Sequence, residues 1–109
     1  GYIQYYPITK DSYAYESADA ILKTKDGYGL DMFIGRPELW NKGLGSHTIA
    51  LIETYLKAEK QVKILCVDPM TDNPRALHFW SKVGFKPLEE IKAWDDDTKK
   101  SLLMMKELD

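Results

Sequence analysis

Two glycines stand where a helix has to begin, in the segment Trp40–Ser46 (WNKGLGS). The run behind them, HTIALIETYLKAE, has apolar residues three and four positions apart and predicts an amphipathic helix. Glycines at such a junction let backbone N–H groups approach a ligand, and the unpaired amides and the helix dipole favour an anion there. The segment therefore predicts a phosphate-binding loop, with a simple glycine turn as the alternative.

The spacing of this loop differs from two common phosphate-binding motifs. The P-loop pattern G-x-x-x-x-G-K-[ST] is absent, and the third glycine of G-x-G-x-x-G would fall on Thr48. The sequence therefore argues against a nucleotide P-loop and against a dinucleotide-binding fingerprint, and it leaves open which phosphate compound would bind.

A single acid, Asp31, interrupts the apolar run Tyr28–Gly35 (YGLDMFIG), which predicts a strand. Because a carboxylate buried alone costs several kcal/mol, Asp31 is expected to face a wet cleft. There it could orient a cationic amine and collect its proton, although an unperturbed aspartate pKa of about 3.9 makes it a weak base. The alternative is an acid paired with a neighbouring lysine on an exposed edge strand.

The elements that would position these residues alternate between strands and helices. Helical spacing predicts one helix from Gly45 to about Lys60, and a second that follows the N-cap Asn73 and ends at Gly84. The segment Thr9–Gly27 is interpreted as mostly loop. The predicted strands are Tyr2–Ile8, Tyr28–Gly35, Val62–Val67, Phe85–Trp94 and Ser101–Leu108. This order predicts an α/β or α+β fold with a mixed sheet and two helices.

Composition narrows the class of protein. With 109 residues the chain is expected to form one domain over residues 1–109, and no apolar run approaches the roughly 18 residues of a membrane span. The formal charge of −2 and the scattered basic residues argue against nucleic acid as a partner. The lone cysteine, Cys66, excludes an internal disulfide, the sequence has no paired metal-ligand spacing, and a cytoplasmic location is expected.

Two longer blocks give the sequence a family resemblance. GLDMFIGRPELWNKGLG (Gly29–Gly45) and VDPMTDNPRALHFWSKVGF (Val67–Phe85) resemble the GNAT family of acetyl-CoA-dependent N-acetyltransferases, and within it the aminoglycoside 6′-N-acetyltransferases. The resemblance extends from Gly1 to about Trp94. Family members are longer, and their first strands and helices have no counterpart here. The chain is therefore expected to be the cofactor-binding part of a truncated GNAT domain.

The resemblance implies a binding role for particular residues. In the family, main-chain amides of the helix-opening loop bind the pyrophosphate of coenzyme A; the matching residues are Asn41, Lys42, Gly43, Leu44, Gly45 and Ser46. The alternative for Lys42 is a solvated charge. The pantetheine arm lies between two splayed parallel strands and pairs with main chain, here near Phe33 and Ile34. Asn73 matches a family asparagine that touches the pantetheine, although a helix N-cap explains it equally well.

The resemblance also implies the chemistry. Asp31 matches the family aspartate that serves as general base toward the 6′ amine. Trp80 stands where the family tyrosine protonates the leaving thiolate; an indole is no acid near neutral pH, so Trp80 is predicted to be core and water to supply the proton. Cys66 lies in an apolar strand without a nearby histidine and is predicted to be core rather than the nucleophile of an acyl-enzyme.

The expected function is acetyl transfer from acetyl-CoA, without a metal, to a primary amine, most plausibly the 6′-amine of an aminoglycoside. Other acceptors, such as a polyamine, a siderophore precursor or a protein lysine, remain alternatives, as does a non-catalytic module that binds coenzyme A. The acids of the long loop could line a site for a polycationic sugar or be ordinary solvated groups; they are Asp11, Glu16, Asp19 and Asp26.

The strand Tyr2–Ile8 predicts a second partner. The first strands of the GNAT sheet would lie beside it, so it is expected to present an unpaired edge and an uncovered apolar face. The candidates for that face are Tyr2, Ile3, Tyr5, Tyr6 and Ile8. Burial of this surface against a second copy predicts a homodimer or an exchange of strands.

Overall fold

The computed structural model describes residues 2–33, 43–93, 96 and 98–108. The strands are β1 (Tyr2–Pro7), β2 (Tyr28–Phe33), β3 (Ile64–Val67), β4 (Lys86–Lys92) and β5 (Lys100–Glu107). The helices are α1 (Ala18–Lys23), α2 (Leu44–Glu59) and α3 (Pro74–Lys82). In this described part of the chain, no helix is long and apolar enough to cross a membrane.

The five strands form one mixed sheet in the order β1-β2-β3-β5-β4. Strands β2 and β3 run parallel, joined through α2, whereas the other neighbouring pairs are antiparallel. This confirms the predicted fold class. It also places β1 at one edge of the sheet, as the sequence predicted.

Each face of the sheet carries its own apolar cluster. The helical face packs sheet residues such as Leu65 and Met104 against α2 and α3, and Trp80 of α3 is only 6% exposed there. The opposite face, which we call the loop face, contains Tyr13, Cys66, Ile91 and Leu103. The predictions that Trp80 and Cys66 belong to the core are therefore confirmed.

The long loop contains a helix that the sequence did not predict. Ser17 caps α1 by accepting a hydrogen bond from the Ala20 N–H at 3.2 Å, and its own hydroxyl donates to Glu89 at 2.6 Å. At six residues, α1 is shorter than two turns, so no apolar period could reveal it. The number of helices in the described chain is three rather than the expected two.

The uncovered face expected on β1 is smaller than predicted. Ile3 packs against the cluster of the helical face, and Tyr6 and Ile8 pack against that of the loop face. Of the candidate residues whose side chains the structure describes, Tyr5 is the exposed aromatic, at 39%. The loop after β1 folds back and packs Tyr13 and Tyr15 against the loop face of the strand, which periodicity alone does not indicate.

Lys106 of β5 ties the two long helices to the sheet. Its Nζ donates to Glu53 Oε1 of α2 at 2.8 Å and to the carbonyl oxygen of Val83, at the end of α3, at 2.9 Å. Gly84 follows with φ of 104°, which confirms the predicted glycine at the end of this helix. One cation therefore links α2, the end of α3 and β5.

Candidate active site

Strands β2 and β3 separate soon after they meet. Their parallel pairing covers only Tyr28 with Leu65 and Gly29 with Cys66. Beyond this point β2 continues along β1, and β3 continues along β5 as far as Val67. The backbone edges that face the resulting opening have no strand partner among the described residues. The two strands thus splay at their carboxyl ends.

Asp31 lies in a cleft on the loop face beside this opening. The cleft has a volume of about 380 Å³, and its lining includes Tyr6, Ser12, Tyr13, Asp31 and Asp68. Burial raises the pKa of Asp31 above its usual value. Asp31 lines a cleft as predicted, and no lysine or arginine among the described residues pairs with its carboxylate, whereas its role as general base stays a prediction.

Two tyrosine hydroxyls meet in the same cleft. The hydroxyl oxygens of Tyr6 and Tyr13 lie 3.0 Å apart, and Tyr13 is only 8% exposed. Burial raises the pKa of Tyr6 to about 12, with the carboxylates of Asp31 and Asp68 acting in the same direction. Burial also raises the pKa of Tyr13. Both phenols are therefore neutral at physiological pH.

Gly29 makes room for this pair. It lies opposite Tyr6 in the register of β1 and β2, on the strand that carries Asp31. A Cβ atom at Gly29 would overlap the Tyr6 ring and would lie 2.6 Å from the Tyr13 hydroxyl oxygen. Any side chain here would displace the two tyrosines, so glycine allows both rings to lie directly on the backbone of β2.

The start of α2 is built differently from an ordinary helix start. Gly43 adopts a left-handed conformation with φ of 75°, and no side chain caps the helix. The first helical bond runs from the His47 N–H to the Gly43 carbonyl at 3.0 Å, so the amides of Leu44, Gly45 and Ser46 have no helical partner. Among the described residues, nothing lies within 4 Å of a Cβ atom built at Gly43, so the described part of the chain leaves open space there.

The remaining residues expected to bind the cofactor are described in part. Ile34, Asn41 and Lys42 lie outside the described residues, and Phe33 ends β2, with its backbone at the splayed end. Asn73 caps α3, since its Oδ1 accepts from the Ala76 N–H at 3.2 Å. Its predicted role as N-cap is confirmed, whereas a contact with the pantetheine stays a prediction.

The acids of the long loop do not line the cleft, as far as the described residues show. Glu16 forms an ion pair with Lys100 at 3.5 Å, and Asp19 forms one with Lys23 at 3.1 Å. The second acid of the cleft is Asp68, which the sequence indicated only as the stop after β3. The missed signal is its place directly after a buried strand parallel to the strand of Asp31, since such strands end at the same edge of a sheet.

The described residues contain no candidate metal-binding site. Among the residues described, no cluster of three or more His, Cys, Asp or Glu side chains is placed to hold a metal ion. The thiol of Cys66 is buried and has its pKa raised to about 12 by burial, so it is a poor nucleophile.

Comparison with known proteins gives a family and a fold. The family model described as "Acetyltransferase (GNAT) domain" matches residues 1–93. The aminoglycoside acetyltransferase AAC(6')-Ib, solved with coenzyme A and kanamycin, shares 23% identity at a TM-score of 0.69. An uncharacterized protein from Bacillus halodurans shares 24% identity at a TM-score of 0.72. A spermidine/spermine N-acetyltransferase SpeG from Vibrio cholerae, in mutant form, shares 17% identity at a TM-score of 0.64.

The matches cover this chain more fully than they cover the other proteins. The first two alignments include 98% and 96% of this chain but 59% and 51% of those chains, and the third includes 74% and 50%. The chain therefore spans little more than half the length of the solved structures that share its fold.

Proposed function

The chain belongs to the GNAT acetyltransferase family, and on this basis we propose that it transfers the acetyl group of acetyl-CoA to a primary amine, preferably an aminoglycoside. The observation that supports this most directly is the acidic cleft of Asp31 and Asp68, placed where β2 and β3 splay. A cationic amine would be drawn to two carboxylates there, beside the opening in the sheet.

The described residues fit coenzyme A at two places. The amides of Leu44, Gly45 and Ser46 would bind the pyrophosphate, with Asn41, Lys42 and Gly43 completing the loop, because the start of α2 has no side-chain cap and open space beside Gly43. The edge of β2 at Phe33 that has no strand partner among the described residues would bond the amides of the pantetheine arm, and Ile34 is proposed as the next contact along the chain. Asn73 would contact the same arm from α3.

Acetyl-CoA supplies the acetyl group as a thioester, and the side chains of the cleft act on the amine. Asp31 binds and orients the ammonium group and accepts a proton from it, directly or through water, which frees the nitrogen lone pair. The nitrogen then attacks the thioester carbonyl, the new C–N bond replaces the C–S bond, and the thiolate of coenzyme A leaves. Because burial raises the pKa of Asp31, it is a stronger base than an ordinary aspartate. Asp68 holds the positive charge of a polycationic acceptor nearby.

The leaving thiolate would take its proton from water. Trp80 is 6% exposed, and its ring packs edge-on against Phe79 and Phe85 with centroids 5.0 and 5.2 Å apart. An indole N–H in the core cannot deliver a proton to the opening between the strands. A coenzyme A thiol is weakly acidic, so protonation by water does not limit the reaction.

A polyamine acceptor is the second candidate. It is favoured by the fold shared with the SpeG spermidine/spermine N-acetyltransferase, and a linear polyamine would also satisfy two carboxylates. An aminoglycoside is preferred because a cleft of about 380 Å³ that also presents tyrosine hydroxyls suits a hydroxylated sugar ring.

Thiol release from acetyl-CoA measures the reaction directly. We expect release to depend on kanamycin and to be slower with spermidine as the acceptor. Binding of coenzyme A without thiol release for any amine would reject the enzyme and favour the non-catalytic module. Faster release with spermidine than with kanamycin would favour the polyamine candidate.

The proposal extends to a homodimer formed through the edge of the sheet. Strand β1 lies at that edge, and the Tyr5 ring lies beside the Tyr55 ring of α2, with centroids 6.1 Å apart and planes tilted by 57°. Leu51 and Tyr55, one turn apart, are 59% and 40% exposed, so they widen the apolar surface beside the strand. Sedimentation equilibrium at micromolar concentration tests this, and a stable 12.6 kDa monomer would contradict it.

The proposal also includes the compartment in which the protein acts. A lone cysteine, free and buried, is typical of proteins from a reducing compartment, and acetyl-CoA is the proposed co-substrate. These points support a cytoplasmic location as part of the proposal.

A further inference from the structure

The hydroxyl pair of Tyr6 and Tyr13 has no part in the proposed proton transfer, yet it faces the same cleft as both carboxylates. Two phenols that share one hydrogen bond keep one O–H group for donation to a third group. Ionised carboxylates can only accept hydrogen bonds. The cleft therefore combines acceptors for an ammonium group with one neutral donor.

Alkyl polyamines and hydroxylated amines differ in how they meet this combination. A protonated polyamine carries N–H donors and no acceptor, so a tyrosine O–H that it buries would lose its bond to water. A sugar hydroxyl both donates and accepts, so it would satisfy the pair and leave the ammonium group for the carboxylates.

We propose that the Tyr6–Tyr13 hydroxyl pair determines acceptor specificity by binding a hydroxyl group of the acceptor close to its reactive amine. The site thereby selects hydroxylated amines of the amino-sugar type over alkyl polyamines. The inference rests on the proposed acetyl transfer. It assigns recognition of an acceptor hydroxyl group to Tyr6 and Tyr13, which take no part in the proton transfer.

The pair is held rigidly enough for this role. Because Gly29 has no side chain, the Tyr6 ring and the Tyr13 hydroxyl lie in close contact with the backbone of β2. On its other side, the Tyr13 ring packs edge-on against Tyr15, with centroids 5.7 Å apart and planes at 90°. A site whose polar groups are fixed in advance rejects a ligand that leaves them unpaired, because no rearrangement relieves the loss.

Removal of a single hydroxyl tests the proposal. Tyr6→Phe should lower kcat/KM for kanamycin by about tenfold, equivalent to about 1.4 kcal/mol, and leave kcat/KM for spermidine within about twofold. Tyr13→Phe should lower the kanamycin-to-spermidine ratio in the same direction, and it serves as the second variant if Tyr6→Phe fails to fold.

Tyr15→Phe is the matched control. Its hydroxyl bonds to Thr24 Oγ1 at 2.8 Å, and Tyr15 does not line the cleft of Asp31. This variant loses a tyrosine hydroxyl from the same loop and should leave the ratio of the two acceptors unchanged. An unchanged ratio in both Tyr6→Phe and Tyr13→Phe would overturn the proposal while acetyl transfer itself stood.

Equilibrium binding separates this result from a failure of the proposed function. If the wild-type chain acetylates neither amine, the proposed function fails, and calorimetric titration of the same two amines still tests the hydroxyl pair. A kanamycin Kd about tenfold weaker in Tyr6→Phe, with spermidine unaffected, would support it. Equal kanamycin binding by the wild type and the variant, or no binding of kanamycin to the wild type, would overturn it.

Discussion

Two regions of this chain treat their polar groups in opposite ways. Around α3 and β5, the protein satisfies them itself: Asn73 caps the helix, and Lys106 bonds both Glu53 and the Val83 carbonyl. Around the splayed ends of β2 and β3, it does not: α2 starts without a side-chain cap, and Asp31 has no described cation beside it. We refer to these as the closed region and the open region.

The difference separates groups that hold the fold from groups available to a ligand. Polar groups satisfied internally contribute to stability, whereas a half-buried carboxylate without a cation lowers it. Burial raises the pKa of Asp31, so its carboxylate is ionised at a cost to stability that binding of a cation would offset. Substitutions in the closed region should therefore change stability, and substitutions in the open region should change binding or rate.

The largest effect should come from the acid of the open region. Asp31→Asn should lower the acetylation rate by at least ~10², the scale of general acid–base catalysis, because the neutral amide neither holds the ammonium group nor takes its proton. Steady-state kcat with kanamycin measures this, and the affinity for coenzyme A should hardly change. Asp11→Asn removes an exposed loop acid as the control; turnover near the wild-type level at pH 7 in Asp31→Asn would leave Asp31 a structural acid.

A substitution in the closed region should instead lower the free energy of unfolding. Lys106→Met should lower the free energy of unfolding by about 2 kcal/mol, because it leaves Glu53 and the Val83 carbonyl without their partner. The lysine and glutamate side chains are 25% and 19% exposed, so the loss is smaller than for a fully buried pair. Urea unfolding measures it, with the exposed Lys92→Met as control. Equal stability of the two variants would remove the contrast between the regions.

Substitution of Gly43 at the start of α2 should have a smaller effect, limited to the affinity for coenzyme A. Asparagine tolerates the left-handed conformation of Gly43, and its side chain would enter the open space where the pyrophosphate is proposed to lie. Gly43→Asn should weaken coenzyme A binding by about tenfold or more, about 1.4 kcal/mol, and Gly43→Val should abolish it.

Calorimetry with coenzyme A tests this loop. Gln61→Asn is the matched control, since Gln61 has φ of 56° at the far end of α2. Unchanged affinity in Gly43→Val would show that the loop is assigned wrongly, provided that the variant still melts cooperatively.

The smallest effect concerns pH. Burial raises the pKa of Asp31 in the folded state, so its ionisation favours unfolding: the stability is present below the unfolded aspartate pKa of about 3.9 and is lost as pH rises through the folded value. Asp31→Asn should therefore melt at a slightly higher temperature than the wild type at pH 7 and at the same temperature near pH 3.5. If Asp31→Asn melts at a lower temperature than the wild type at pH 7, the carboxylate stabilises the fold. That result would contradict the distinction between the closed and open regions.

The sequence predicted the parts of this structure that depend on neighbours along the chain. The period of α2, the Asn73 cap and the Gly84 terminus of α3 are local signals, and each was confirmed. The place of Asp31 in a cleft followed from one polar residue within an apolar strand.

What the sequence could not predict depends on distant contacts. Asp68 reaches the cleft only because β3 lies parallel to β2, and Tyr13 reaches Tyr6 only because the loop folds back over Gly29. The ion pair of Lys106 with Glu53 joins residues that no spacing rule connects. The side chains that shape the acceptor cleft were therefore harder to predict than the acid at its centre.

The order of strands in the sheet has a consequence for how the chain is made. Strand β5 (Lys100–Glu107) comes last among the described strands, yet it lies between β3 and β4. During synthesis, β3 and β4 cannot pair with β5 until these residues have left the ribosome. Lys106, which bonds Glu53 and the Val83 carbonyl, is made at the same late stage. A nascent chain that stalls earlier would leave one backbone edge of β3 without its partner, so this protein should depend on chaperone protection until β5 is complete.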